Sequence, residues 1–317
     1  MRNLAILLCI IPTLLYAGES IADALKLIET GNNDAARKML EEIVAADGSN
    51  AEARYHLGKL LASQFRKYDD AEEQLEKAVE LAGTNAEYHF TLGNLYGIQA
   101  QNASIFSKLS YAGKVKDQFL RAVELSPETI RYRLGLLGYY LQAPGIAGGS
   151  VSKAREQAAE LLKRDAYEGH IASAQIAEYE KEYTLAEQEY KSAIGVKPDR
   201  WRTFNLLGYL YLKMNKPDDA IAQFILYVKY APKDPNSYDS LADGYTAKGN
   251  VDAALANYLN ALAINPVFPS SLYGTARCYD TLGKKLEARQ YYQKFLDHNP
   301  KGNNADRARE RVKELSE

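Results

Sequence analysis

Residues 201–234 read WRTFNLLGYLYLKMNKPDDAIAQFILYVKYAPKD. Phe204, Leu207, Gly208 and Tyr211 are spaced three, one and three apart, so they share one face of a helix. A break follows at residues 215–219, where Pro217 stops the first helix or starts a second. Ala220, Phe224 and Tyr227 then recur at four and three and form a second apolar face. Pro232 ends that helix, and a similar unit of 34 residues begins.

The unit recurs along the chain. Residues 235–268 carry Tyr238, Leu241, Ala242 and Tyr245, then Gly249 at the turn, then Ala254, Tyr258, Ala261 and Pro266. Residues 269–302 carry Leu272, Ala276, Tyr279, Gly283, Ala288, Tyr292, Phe295 and Pro300. Upstream, residues 167–200 carry His170, Ala174, Ala177, Ala186, Tyr190, Ala193 and Pro198. Residues 51–85 show Leu57-Gly58, Leu61, Ala71, Leu75 and Ala78, with one extra residue near Tyr68. Residues 86–129 are about ten residues too long, and residues 130–166 contain a glycine-rich break. Residues 18–50 are a degenerate first unit with Ala36 and Leu40 as surviving marks. Residues 303–317 form a terminal charged helix, capped by Asn304 or Asp306, as an array end requires.

These residues resemble the tetratricopeptide repeat (TPR) family: Phe204 (where the family favours Trp), Leu207, Gly208, Tyr211, Ala220, Phe224 and Pro232 stand at its pattern positions. The resemblance covers residues 18–317, with seven clear repeats over 51–302 after the weak first one. It implies an all-α fold: a right-handed α-α superhelical solenoid of about eight helix hairpins plus a capping helix. Gly208, Ala242 and Ala276 are then small because the two helices of a hairpin approach closely, as do Ala220, Ala254 and Ala288 on the second helix. Tyr211, Tyr245 and Tyr279 fill space between hairpins, so many of the 24 tyrosines are packing residues. No hairpin buries its apolar face alone; neighbours must stack.

Composition narrows the function. Charged residues are 25% and the net charge is −2, with basic residues dispersed among acids, so no nucleic-acid footprint is present. Residues 1–17 pair Arg2 with an apolar run from Leu4 to Tyr16 and a small residue, Ala17, which reads as a secretory signal cleaved after Ala17. The run is shorter than the ~20 residues a bilayer span needs, so the mature chain has no integral span. The expected location is periplasmic or secreted. Loss of Cys9 leaves Cys278 alone, so no intramolecular disulfide forms. The four histidines are scattered, no i, i+4 metal pair occurs, and no nucleophile elbow appears. The chain is expected to be neither an enzyme nor the carrier of a metal or cofactor.

The family resemblance implies a binding surface on the concave face, lined by the first helix of each hairpin. Helical spacing puts Tyr55, Asn94, Tyr139, Tyr179, Arg202, Asn205, Tyr209, Lys213, Asp239, Asp243, Tyr273 and Arg277 there. Tyr and Arg are enriched at binding hot spots. Lys59 and Asn94 fall on the proper face for a carboxylate clamp, but Asp239 and Asp243 oppose one, and none is predicted. Residues 98–114 carry Ile98, Ile105, Phe106 and Leu109, which predict two extended helices rather than a loose loop. The next hairpin has Gly145, Gly148, Gly149 and Ser150 at its turn, on the same edge; this loop permits a wide turn or binds an anion at the helix start. The expected function is an exported scaffold binding a protein or peptide on its concave face and inserted edge, within a cell-envelope complex. The alternative is a periplasmic carrier or sensor enclosing a small ligand in a Tyr-lined groove.

Overall fold

The computed structural model describes residues 12–316. Residues 1–11 of the expected leader, and the side chain of Phe106, lie outside the described residues. Among the described residues all regular structure is helical. The chain divides into two compact units, the first ending at Arg164 and the second starting at Asp165.

The first unit stacks four hairpins: α1 (Pro12–Glu29) with α2 (Asn33–Ala46), α3 (Ala51–Leu60) with α4 (Tyr68–Leu81), α5 (Ala86–Asn102) with α6 (Ile105–Leu125), and α7 (Ile130–Gln142) with α8 (Val151–Arg164). The second unit stacks α9 (Ala166–Tyr179) with α10 (Tyr183–Val196), α11 (Trp201–Lys213) with α12 (Pro217–Tyr230), α13 (Pro235–Lys248) with α14 (Val251–Ile264), and α15 (Pro269–Thr281) with α16 (Lys285–His298). The solitary α17 (Asn303–Glu314) closes it against α16.

Local chemistry explains where helices begin. Pro217, Pro235 and Pro269 sit in the first turn of their helices, where a missing N–H costs nothing. Pro217 thus starts the second helix. Asn50, Asn85, Asp165, Asp234 and Asn250 cap with their side-chain oxygens. Inside seven of the hairpins one turn residue is left-handed, Gly31 and Gly148 among them. Gly249 (φ +80°) and Gly283 (φ +70°) take it freely, whereas Arg66 (φ 53°), Lys181 (φ 64°) and Asn215 (φ 56°) hold it with a Cβ.

The expected caps of α17 are corrected. The helix starts at Asn303 behind Gly302 (φ +99°), so Asn304 and Asp306 already lie within it and neither caps. The extra residue near Tyr68 is absorbed by a π-turn, Leu61–Phe65, that extends α3. The two extended helices appear as expected: α5 has 17 residues and α6 has 21, against 14 in α9 and α10.

The close approaches are confirmed by geometry. A Cβ on Gly58 would lie 2.7 Å from Leu75, one on Gly93 2.7 Å from Phe119, and one on Gly208 2.4 Å from Phe224. Phe224 is fully buried and also abuts Gly244 of the next hairpin, where a Cβ would meet the ring at 3.1 Å. Tyr190 and Tyr292, at the same place in their own hairpins, send their hydroxyls to Glu178 (2.5 Å) and Asp280 (3.5 Å). Where the ring is Phe224 and has no hydroxyl, the facing position is Leu212. Cys278 is buried among Ala242, Ala254 and Tyr258, and burial pushes its thiol up to about 11.

Candidate functional site

The first helices of the hairpins carry the residues expected to meet a partner. In the second unit most of them are occupied by neighbouring hairpins. The Arg202 guanidinium reaches Glu168 at 3.0 Å, and Lys213 reaches Glu178 at 2.5 Å. The Tyr209 hydroxyl donates to Asp243 at 2.9 Å, and Tyr258 donates to the other Asp243 oxygen at 2.6 Å. Asp239 accepts from Ser270 at 2.8 Å and Ser271 at 2.5 Å. The ties of Arg202, Lys213, Tyr209 and Asp239 join residues 31 to 35 apart, about one repeat, which stacking places side by side. Arg202, Lys213, Tyr209, Asp239 and Asp243 therefore form rungs of a polar ladder between first helices, which draws Tyr209, Asp239 and Asp243 inward and leaves the Arg202 and Lys213 side chains 42% and 55% exposed.

Burial sharpens two of these groups. Asp239 is only 4% exposed, and burial, with the Asp243 charge beside it, lifts its carboxyl to about 6 against the two serine hydroxyls. Burial and Asp243 raise the Tyr209 phenol far above its ordinary range, so it stays a donor.

Other expected residues are also withdrawn from the surface. Tyr55 stacks on Tyr88 at 4.5 Å and its hydroxyl meets Glu87 at 3.2 Å; burial pushes it up to about 12. Tyr273 is half-buried against Phe295 (5.2 Å) and Tyr292 (5.8 Å). Tyr139 is buried and donates to the Ala147 carbonyl. Asn94, Tyr179 and Arg277 remain exposed, Tyr179 by 56%. Asn205 is half-buried, and its Oδ1 has no partner among the described residues.

The inserted edge is ordered by its own contacts. Lys114 of α6 binds Glu72 (2.8 Å) and Glu76 (3.3 Å) of α4 and lies 4.6 Å from the Tyr96 ring centre. Gln99 of α5 donates to Glu72 at 2.7 Å. This cluster anchors the extended hairpin, leaving Ile98 and Leu109 about 40% exposed.

In the glycine-rich loop the N–H groups of Ala147, Gly148 and Gly149 donate to Pro144, Gly145 and Pro144 carbonyls at 2.8–3.0 Å. Ser150 N–H donates to Tyr140 at 2.9 Å, and Ser150 Oγ accepts from Lys153 N–H at 3.3 Å. No N–H from 147 to 150 is left for an anion, which favours the structural reading of the loop. Gly149 is required there, since a Cβ would stand 1.8 Å from the Ala143 carbonyl oxygen. The result is a rigid turn that presents Ile146 with 85% of its surface exposed. Sequence reasoning passed over Ile146; the signal was an isolated branched apolar residue inside a polar-length loop.

A cavity of about 50 Å³ lies between Tyr258, Arg277 and Cys278. Small-molecule sites usually run to several hundred Å³, so this one does not enclose a metabolite. Among the described residues no three His, Cys, Asp or Glu side chains group as a metal site. No helix among them is long and apolar enough to cross a membrane.

Stacked hairpins with small residues at their crossings, tied by a ladder one repeat apart, define a helical-repeat protein. Family models described as tetratricopeptide repeat match residues 27–95, 202–234 and 240–313, together more than half of the sequence. The chain belongs to the tetratricopeptide repeat family. It is 26% identical to tetratricopeptide repeat protein 37 of Xenopus laevis over 191 residues, 58% of this chain and 12% of that protein. It is 32% identical to superkiller complex protein 3 of Homo sapiens over 89 residues, 28% of this chain and 6% of that one. The chain thus spans 12% or less of the length of these curated relatives. Among solved structures it is similar to a tetratricopeptide repeat protein from Parabacteroides merdae, with TM-score 0.58, 15% identity, and 95% and 99% of the two chains covered. It is also similar to a chain of the APC/C hetero-tetramer Cut9-Hcn1, with TM-score 0.53, 14% identity, and 90% and 53% covered. At these identities the likeness is one of fold.

Proposed function

We propose that the chain is a non-catalytic, exported scaffold that binds a protein or peptide, with the inserted edge as its main contact, in a complex of the cell envelope. The observation that carries this reading is Ile146, 85% exposed at the tip of a turn whose amides from 147 to 150 are engaged. An apolar side chain held out by a rigid support loses little entropy on docking. Leu109 and Ile98 on the extended hairpin add apolar surface to the same unit. The ladder supports the same choice, because it ties down most of the first-helix candidates and leaves Asn94, Tyr179 and Arg277 exposed outside it. A chain of similar fold is part of a protein assembly, the APC/C hetero-tetramer Cut9-Hcn1.

The test is quantitative capture of cross-linked partners from an envelope extract by the full chain and by Ile146→Ser/Leu109→Ser. Loss of a hot spot worth ~2 kcal/mol should reduce recovery of the specific partner about 30-fold. Tyr179→Ala/Arg277→Ala should reduce it less. Undiminished recovery with the edge variant would overturn the assignment of the edge.

Export has its own readout. α1 starts at Pro12, so cleavage after Ala17 would leave a mature helix beginning at Gly18. Intact-mass analysis of chain recovered from the envelope should give Gly18 as the first residue; a chain retaining Met1 there would sink the leader.

A further inference from the structure

The second unit carries an apolar row that the reading above does not use. Val196, Tyr230 and Ile264 are the last residues of α10, α12 and α14, at intervals of 34, and are 44%, 40% and 40% exposed. Equivalent positions in stacked hairpins form a line. Trp201, the single tryptophan, is 42% exposed beside it. Its ring stacks on Tyr227 at 5.1 Å and 11°, and Tyr230 stacks on Phe204 at 5.5 Å and 6°. Both aromatics are thus held in place before any partner arrives.

The charges around this row are one-sided. Arg200, Lys229 and Lys233 have no ion-pair partner among the described residues; Lys229 only lies 5.4 Å from the Tyr230 ring centre. The nearby acids are mostly taken. Asp165 binds Lys197 at 2.8 Å, and Asp234 accepts the Tyr227 hydroxyl at 2.5 Å while capping α13. Asp199, and Asp234 whose partners are neutral, are left to oppose three cations, so the edge keeps a net positive charge.

We propose that this edge, at the C-terminal ends of α10, α12 and α14, binds an extended acidic peptide with aliphatic anchors. The inference rests on the reading of the chain as a protein-binding scaffold, and uses residues of the second unit only. The row suits a linear partner. Stacked hairpins advance by about one helix diameter, ~10 Å, and a peptide extended as polyproline II rises about 3.1 Å per residue with about three residues per turn, so every third side chain shares a face. Anchors at every third residue would therefore meet successive rungs. Glutamates between them would face Arg200, Lys229 and Lys233, and the field would disfavour a basic peptide.

Trp201 makes the test direct, because it is the chain's only tryptophan and sits on the edge itself. The full chain is titrated with a 12-residue peptide, leucine at every third position and glutamate elsewhere, while Trp201 emission is followed. A saturable blue shift is expected as the indole loses water. The version with lysine for glutamate should give none. Lys229→Glu/Lys233→Glu, both at exposed positions, should weaken the glutamate peptide at least tenfold with helicity by circular dichroism unchanged. Emission unmoved at millimolar peptide, an equal response to the lysine peptide, or indifference to the charge reversal would each overturn the proposal. So would a shift with vesicles of phosphatidylcholine and phosphatidylglycerol (3:1) but not with peptide, which would make the edge a lipid surface. Partner capture through Ile146 is measured separately, so failure here leaves that reading standing, and failure there leaves this binding curve unchanged.

Discussion

Gly208→Ala should destabilise the chain by about 2 kcal/mol, although alanine is the better helix former. Two effects compete. Removing a helical glycine gains up to ~1 kcal/mol of backbone entropy and propensity. Against it, the new methyl would stand 2.4 Å from the Phe224 ring, which is fully buried and backed by Gly244 on its other side. The ring has nowhere to retreat, so overpacking wins, at a typical cost of ~1–3 kcal/mol or more. Gly195→Ala in α10 is the internal control, because a Cβ there meets nothing within 4 Å. That change should be neutral or mildly stabilising. Gly208→Ala/Phe224→Leu should be less destabilised than the sum of its single changes. Urea unfolding of the four chains decides the matter: equal behaviour of Gly208→Ala and Gly195→Ala would show the crossing is looser than the geometry says.

Asp239→Asn should stabilise the chain at neutral pH and do little below pH 4. The Asp239 carboxyl has an ordinary value near 3.8 and is lifted to about 6 in the fold, first by burial and then by the neighbouring Asp243 charge. A raised acid favours its protonated form in the folded state. Its contribution is therefore fully present below about pH 4 and is lost as pH rises through about 6. A shift of about two units corresponds to roughly 3 kcal/mol, an upper figure for a group that accepts two serine hydroxyls. Asparagine keeps an acceptor for Ser271 and cannot ionise. The difference in unfolding free energy between variant and parent should grow between pH 4 and 6 and then level off. A difference that does not change with pH would mean Asp239 is not held in a charge-averse site. Using the difference matters, because paired carboxylates such as Glu187, held low by Lys191, lose stability in acid in both chains.

How far the sequence could be read differs between scaffold and site. Gly208, Ala220 and Phe224 recur as a set, and recurrence reports a backbone crossing, which depends only on spacing. The long helices α5 and α6 were legible for the same reason, since apolar residues continue through 98–109. The surface was not. Spacing tells which face Tyr209 or Asp239 occupies, but not what stands opposite it in the next hairpin. The overlooked signal lay one repeat away: Glu168 against Arg202, and Tyr209 against Asp243, are complementary types exactly 34 residues apart. Reading each hairpin alone made these side chains look free. Trp201 and Tyr230 were missed for another reason. They stand outside the recurring set, so spacing gave them no role, and only the structure shows that part of each is exposed.

The Phe224 ring seated between Gly208 and Gly244, followed by Tyr258 against Gly274, has a consequence for how the second unit comes apart. An array with weak contacts between repeats would fray from its ends, one hairpin at a time. Here each ring belongs structurally to two hairpins, so opening one strips packing from the next. In a nearest-neighbour description the coupling energy is large beside the intrinsic stability of a single hairpin. Residues 201–281 then behave as one cooperative block, opening and closing together on the timescale of hydrogen exchange. Such a block keeps Tyr230 and Ile264 in register, as a surface built from separate hairpins must be if it is to act as one.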